Sequence, residues 1–420
     1  MKIVLLKDKD FLLLMLGKLV SLIGSDMQSF ALSLYVLKIT GSATKFASVL
    51  SITIIPKLIL GPIAGVFTDW LDRKKIIVCF DFLNGVIIGI YAILFNFTGE
   101  LTMTSIYFLV FILSLTSVVF QPAISTVIPS IVKKDHLIDA NGINSIVMSI
   151  GSLVAPMIAG ILMGMNGMLI IFWVNSISFM LSATSEVFIR IPNYNKMPNK
   201  ISFKAFKRDF VEGIRYIKNT KIIVVFISIV IIVNFAFNPL FNIGIVFICK
   251  EVLKISDFQY GVMQTVLVVS MFIAPILCGY ISKKISIGKI VFYNIFFICI
   301  LSLFIAIIST ESFRSMFCSN MVPFILILSI CFVVGVILGI INISVGVVVQ
   351  KNVSLDKLGR VNTVMTTGTM SIIPMGMMFF GFLYDTIPVW LCVTISAIIM
   401  FAGIITFKNT LFETEKEYVK

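Results

Sequence analysis

Gly61 to Lys75 reads GPIAGVFTDWLDRKK, and this stretch decides the fold. An apolar run carrying Gly61, Pro62 and Gly65 enters it, and the charges Asp69, Asp72, Arg73, Lys74 and Lys75 close it. A second apolar run starts at once at Ile76. The pattern predicts two membrane-spanning helices joined by a charged turn of a few residues. Small residues before such a turn let neighbouring helices approach closely. The turn is too polar for hydrocarbon, so it marks a membrane surface, and its positive end predicts the cytoplasmic one.

Composition agrees along the whole chain. Of 420 residues, 59% are hydrophobic and 13% charged, with a mean hydropathy of +1.09. The charged share is about half that of a soluble globular protein. A formal net charge of +13 would suggest nucleic acid for a soluble chain. Here it predicts loops facing anionic lipid instead. The seven cysteines include no CxxC pair, which argues against a zinc site or a disulfide framework. The first residues, KIVLLKDKDFLLLM, lack a small-residue cleavage site and read as a lead-in to the first helix.

At about 20 apolar residues per crossing, twelve spans are expected, at 11–37, 43–68, 76–97, 102–127, 140–164, 168–189, 222–248, 258–282, 287–309, 321–349, 361–384 and 388–407. With both ends of the chain in the cytoplasm, the inner segments hold 26 Lys and Arg and the outer loops 5. That bias fixes the orientation. Lys18 and Lys57 fall inside spans.

The chain divides at Arg190–Lys221, its longest polar segment. The front of this segment is a turn-rich linker with two prolines. Its back is amphipathic: Phe203, Phe206, Phe210, Ile214 and Ile217 share a face opposite Lys204, Lys207, Arg208, Arg215 and Lys218. A helix lying on the cytoplasmic membrane surface is expected. The expected units are therefore a bundle at 1–190, a linker at 191–221 and a second bundle at 222–420. The halves repeat. GVFTDWLDRKKI after span two matches GYISKKISIGKI after span eight. Asn144 precedes Pro156 by twelve residues, and Asn362 precedes Pro374 by the same number. The fold class is an all-α membrane protein, twelve helices in two six-helix bundles related by pseudo-two-fold symmetry. Duplicated halves of this kind characterise secondary transporters.

Ionisable residues inside spans are costly and are functional candidates. Asp26 lies about 22 Å and Lys57 about 18 Å from the cytoplasmic surface, at 1.5 Å per residue. Adjacent antiparallel helices would bring them to similar depth. Asp26 is the candidate proton-binding carboxylate and Lys57 its candidate partner. A purely structural pair, or no contact at all, are the competing readings. Asp81 and Glu186 are shallow in their spans, which predicts interfacial positions. Asn234, Asn238, Gln264 and Asn342 either line a cavity or join helices. The 38 Phe and 21 Met include enough adaptable surface for a pocket that repacks around varied ligands. His136 stands in a loop, away from the membrane centre. There is no GxxxxGK[ST] stretch for nucleotide phosphates. No metal-ligating constellation, cofactor site or catalytic residue is expected.

The loop from Gly65 through Asp69, Asp72, Arg73 and Lys74, its echo at Gly279 and the 6+6 layout resemble the major facilitator superfamily. A second stretch, FQPAISTVIPSIVKKDHLIDANGINS (Phe120–Ser145) followed by GSLVAPMIAG (Gly151–Gly160), is similar to the macrolide-efflux branch of bacterial drug exporters. So is SLIGSDMQSFALSLYVL in the first span. The resemblance implies proton antiport of macrolide-like or other amphipathic compounds, by alternating access, from a bacterial plasma membrane. It implies a monomer whose partners are protons, lipid and a small hydrophobic substrate, without nucleic acid. It also implies that Gly65, Asp69, Asp72 and Arg73 gate the cytoplasmic side, with Asp69 near the N-terminus of span eleven. The pattern at Gly151, Pro156 and Gly160 is similar to the motif associated with antiporters. Two departures stand out. Span four carries no charge where the family often has an arginine, and Lys283 stands where an acid would echo Asp69. A transporter of a physiological solute such as a siderophore or metabolite is the first alternative. A non-transporting sensor or scaffold on the same fold is the second.

Overall fold

A computed structural model describes residues 5, 7–70, 72–133, 136–164, 167–191, 203–282 and 284–413. Side chains at 62–70 and 203–207 lie outside the description, among a few others. Among the described residues the chain is helical throughout, without a strand. Helices satisfy every backbone hydrogen bond within one segment, the requirement that hydrocarbon imposes.

The first half comprises α1 (Lys9–Thr40), α2 (Ala43–Trp70), α3 (Arg73–Thr98), α4 (Met103–Ile131), α5 (Leu137–Gly164) and α6 (Met168–Val187). Then α7 (Phe203–Asn219) precedes α8 (Lys221–Val252), α9 (Asp257–Ile281, with a break at 272–273), α10 (Ile287–Ser309), α11 (Met321–Asn352), α12 (Leu355–Thr386) and α13 (Val389–Thr406). Eleven helices among the described residues are long and apolar enough to cross a membrane. The remaining long helix, α1, has 32 residues and carries Lys18, Ser21, Ser25, Asp26 and Gln28. Boundaries follow local chemistry. Asp72 caps α3 by accepting from the backbone N–H groups of Lys74 and Lys75, at 2.9 and 3.3 Å. Gly99 closes the same helix at φ +73°, its N–H reaching Phe95 O. Thr102 caps α4 through Ser105 N–H. Pro122, Pro129, Pro156 and Pro374 lie inside helices, which neighbouring helices make tolerable in a membrane.

The chain forms two compact units. The first holds residues up to Thr40, Ile52–Ile201 and Ser256–Thr265. Its core joins Phe11, Leu14, Ile77, Ala123, Ile124, Val127, Ile143 and Ile189 from α1, α3, α4, α5 and the end of α6. Both α1 and α3 pack on α6, whose small polar side chains reach across. Asn175 Nδ2 donates to Gln28 Oε1 at 2.7 Å, and Ser176 Oγ donates to Gly85 O at 2.7 Å. Thr116 Oγ1 donates to Asn84 Oδ1 between α4 and α3.

The second unit holds Gly41–Ser51, Ser202–Ile255 and the chain from Val266. Asn234 Nδ2 donates to Thr369 O and Ser396 Oγ to Ala236 O, each at 2.8 Å. These bonds tie α8 to α12 and α13. The amphipathic helix α7 exists, but it is not simply laid on a lipid surface. Ile217 is buried with Val349, Val353, Val361 and Met365 of α11 and α12. Glu212 meets Arg360 at 2.8 Å, Tyr216 Oη donates to Asn352 O, and a Cβ at Gly213 would stand 2.9 Å from Arg360 O. Packing against protein replaces lipid at this part of the apolar face. The side chains of Phe203 and Phe206 lie outside the described residues.

Two helices are divided between the units. The first residues of α2, Ala43–Ser51, belong to the second unit and the rest to the first; the first residues of α9 belong to the first unit and the rest to the second. Within the second unit, Asp385 near the end of α12 holds the start of α2. Its Oδ1 accepts from Ala43 N–H at 2.7 Å, and its Oδ2 accepts from Ser42 Oγ at 2.6 Å and Thr44 N–H at 3.0 Å. A carboxylate at a helix N-terminus takes up donors that the helix itself cannot satisfy. Asp385→Ala should cost on the order of 1 kcal/mol, the scale of a lost helix cap, read as a lower thermal midpoint of the detergent-purified protein. Asp385→Asn, which keeps one acceptor, should fall between the two.

Candidate functional site

The face of α1 that meets α5 carries Lys18, Leu22 and Asp26 at spacings of four, which places them on one stripe. On α5 the corresponding positions are Asn144, Gly151 and Ser152. Lys18 Nζ donates to Asn144 Oδ1 at 2.7 Å, and Ser152 Oγ donates to Asp26 Oδ2 at 3.3 Å. Both pairs are separated by 126 positions, so the helices run side by side in the same direction. The two polar rungs are about 12 Å apart, eight residues at 1.5 Å each. Between them, a Cβ at Gly151 would collide with the Leu22 side chain. Glycine at this position is what lets the helices close on the rungs.

Asp26 is half-buried and has a hydroxyl as its hydrogen-bond partner. Such a hydroxyl donates to a carboxylate and accepts from a carboxyl group, so the contact survives gain or loss of a proton. Lys57 is exposed and makes no ion pair with Asp26 among the described residues. Lys18 is the cation on the Asp26 stripe. From the sequence, Lys18 is only a charge inside a span. The signal available was its spacing of eight from Asp26, matched by the spacing of eight between Asn144 and Ser152.

The other half of the antiporter-like pattern forms a backbone contact inside the first unit. A Cβ at Gly160 would lie 2.7 Å from Asp257 O, and one at Gly261 would lie 2.7 Å from Pro156 O. Thr265 Oγ1 donates to Leu153 O at 3.2 Å. Phe30 stacks on Tyr260, with ring centroids 5.2 Å apart. Gly160 and Pro156 therefore seat the first turns of α9 against α5 with no side chain between the two backbones.

Of the loop residues, Gly65 and Asp69 have side-chain positions outside the description. Asp72 is the α3 cap, and Arg73 opens that helix. Lys74 Nζ donates to Val187 O at 2.7 Å, fastening the loop to the end of α6. The four polar candidates have the following surroundings. Asn234 joins α8 to α12, Asn238 Oδ1 accepts from Asn242 Nδ2 on the next turn, and Gln264 Nε2 donates to Tyr260 Oη at 2.6 Å. Asn342 is exposed on α11. A cavity of about 440 Å³ opens within the second unit. Its lining includes Phe226, Pro275, Cys278, Gly279, Val347 and Lys351.

Asp81 and Glu186 correct the expectation drawn from their depth. Both are 1% exposed, buried in the α3–α6 packing although shallow in their helices. No group of three or more His, Cys, Asp or Glu side chains that would hold a metal occurs among the described residues.

The sequence profile of the Major Facilitator Superfamily matches residues 14–377. Macrolide efflux protein A of Streptococcus pyogenes is 25% identical over 224 residues, 53% of this chain and 55% of that protein. The chain thus spans about half the length of that curated relative. The multidrug efflux pump Tap of Mycobacterium bovis is 22% identical over 389 residues, 89% of this chain and 86% of that one. Among solved structures, the nucleoside transporter NupG superposes with a TM-score of 0.72 at 15% identity, over 96% of this chain and 98% of that chain. That likeness concerns the fold.

Gly160→Val would press a branched side chain into a backbone carbonyl, where no rotamer change gives relief. It should lower the thermal midpoint and the yield of monodisperse protein. Gly142→Ala on the same helix, where a Cβ meets nothing within 4 Å, should leave both unchanged.

Proposed function

The chain belongs to the Major Facilitator Superfamily, and from that premise we propose that it exports macrolide-like or other amphipathic compounds from the bacterial cytoplasm in exchange for protons. That it is a multi-pass membrane transport protein, and not an enzyme, follows from the family. The export direction, the drug class and the proton are our reading. It draws on the relatives named for macrolide and multidrug efflux, and above all on Asp26, a half-buried carboxylate in a membrane-spanning helix whose hydrogen bond is to Ser152.

In this reading Asp26 takes up a proton from the outer side and loses its charge. An uncharged Asp26 no longer needs water or a cation and tolerates a drier surrounding. Release of the proton restores the charge and the preference for a wet one. Protonation therefore biases the two faces of an alternating-access cycle, which is how a ligand shifts a conformational equilibrium. Lys18 is held by Asn144 on the same seam, about 12 Å away along the helix. In this reading both chain ends lie in the cytoplasm. The Gly65–Lys75 loop, with Asp69 and the Asp72 cap, would gate switching without touching cargo. A monomer suffices for this cycle.

The test is accumulation of a labelled macrolide in cells with and without the protein, each with and without a protonophore. Lower accumulation in expressing cells, restored by the protonophore, is the expected result. Asp26→Asn should abolish the difference at normal expression, and Asp26→Glu should retain part of it. Equal export by wild type and Asp26→Asn would remove Asp26 from the proton pathway. No macrolide difference in any condition would overturn the drug reading and turn the search to a physiological solute.

A further inference from the structure

Asp81 on α3 and Glu186 on α6 are both buried where these two helices pack on each other, within electrostatic reach of one another. Both oxygens of Asp81 and Oε2 of Glu186 are buried without a hydrogen-bond partner. The hydroxyl of Ser182, 0% exposed, lies beside Asp81 and also lacks a properly aligned partner. Three carboxyl oxygens thus lack an aligned partner in one spot, with the Ser182 hydroxyl against Asp81. Buried polar atoms in native proteins nearly always have a partner, and an orphaned set calls for an occupant.

The walls leave little room. One turn from Asp81, a Cβ on Gly85 would stand 3.1 Å from Ser176 O, so α3 and α6 touch directly. A Cβ on Gly17 of α1 would stand 3.2 Å from Ser182 Oγ. Among the described residues, no ion pair to either carboxyl group is formed. On α1 the charged residues are Lys9, Asp10, Lys18, Asp26 and, in its last turn, Lys38. Lys18 donates to Asn144, Asp26 accepts from Ser152, and Asp10 accepts from Arg190 N–H. On α3 they are Arg73, Lys74 and Lys75, and Lys74 donates to Val187 O. α4 has no charged residue, α5 has Asp139 alone, and α6 has no other than Glu186. Two ionised carboxylates without a counter-charge cannot share such a site; like charges at close range force one of them to hold a proton.

We propose that Asp81 and Glu186 form a proton-binding site in which the two carboxyl groups share one proton beside the Ser182 hydroxyl. The proton comes from bulk water and returns to it, with no bond made or broken in the chain other than O–H. A proton needs one donor and one acceptor oxygen. A divalent metal needs about six oxygen ligands, more than the orphaned set supplies. The site is separate from Asp26, which faces α5, and it stands whatever the cargo is.

Infrared difference spectra of the purified protein in nanodiscs, between pH 5 and pH 9, test it. Wild type should show a protonated-carboxyl C=O band that weakens as pH rises. The double variant Asp81→Asn with Glu186→Gln should lose that band. It should also keep a thermal midpoint that does not change with pH, while the wild-type midpoint falls as pH rises through loss of the shared proton. Should the double variant not fold, Glu186→Asp keeps an acid and should shift the band instead of removing it. Identical carboxyl bands in wild type and variants would overturn the proposal. So would sodium, replacing choline, abolishing the band and stabilising wild type but not the double variant, which would make this a sodium site. Neither readout involves transport, so failure here leaves the export reading intact, and the reverse holds as well.

Discussion

Hydrocarbon offers a polar group no partner. In this chain that constraint governs the side chains as much as the backbone. The backbone meets it by coiling into helices that satisfy themselves. The polar side chains meet it by reaching a neighbouring helix: Lys18 to Asn144, Asp26 to Ser152, Asn175 to Gln28, Thr116 to Asn84, Asn234 to Thr369. Each bond contributes modestly. Their value is in register, since a rung made by two specific residues allows one axial offset between helices and not its neighbours. The equal offset of the two α1–α5 rungs shows this directly, because a slip by one residue would break both.

Close approach has to precede those bonds. Helices bearing large side chains stand too far apart for Asp26 and Ser152 to meet, and the glycines remove that spacing. Gly151 yields to Leu22, Gly160 to the carbonyl of Asp257, Gly261 to that of Pro156, and Gly376 to the backbone of Phe235. Small residues and polar rungs are therefore one device. The glycine sets the distance and the rung sets the register. The pattern that resembles an antiporter motif works in this manner at both of its ends, with Gly151 serving α1 and Gly160 serving α9.

Much of this was legible in the sequence. Apolar run length, loop charge and the charged turn at Asp69–Lys75 announce the helices, because bilayer thickness translates directly into residue number. Asp26 was legible because a charge inside a span is rare enough to single out. What stayed hidden depends on which way a helix faces. A span that is apolar all round carries no amphipathic signal, so the depth of Asp81 and Glu186 is legible and their burial is not. Their real environment is set by rotation of α3 and α6 about their own axes. Lys18 was hidden for the same reason, its partner being 126 positions away. The amphipathic signal of α7 was strong and correctly gave a helix. An apolar face does not name what covers it, and at Ile217 the cover is α11 and α12.

The acids of the first unit divide according to whether the fold satisfies them. Asp10 and Asp72 accept from backbone N–H groups at helix ends, where their charge is an asset. Asp26 has a hydroxyl that accommodates either protonation state. Asp81 and Glu186 have each other. A fold selected for stability alone would have placed apolar residues at the last two positions, since well-packed hydrophobic side chains are usually at least as stabilising as buried charge. Retaining two unsatisfied carboxyl groups between tightly packed helices makes the stability of the α3–α6 contact depend on an occupant. With a shared proton as that occupant, as proposed, the energy of the packing would follow the activity of protons in the surrounding water.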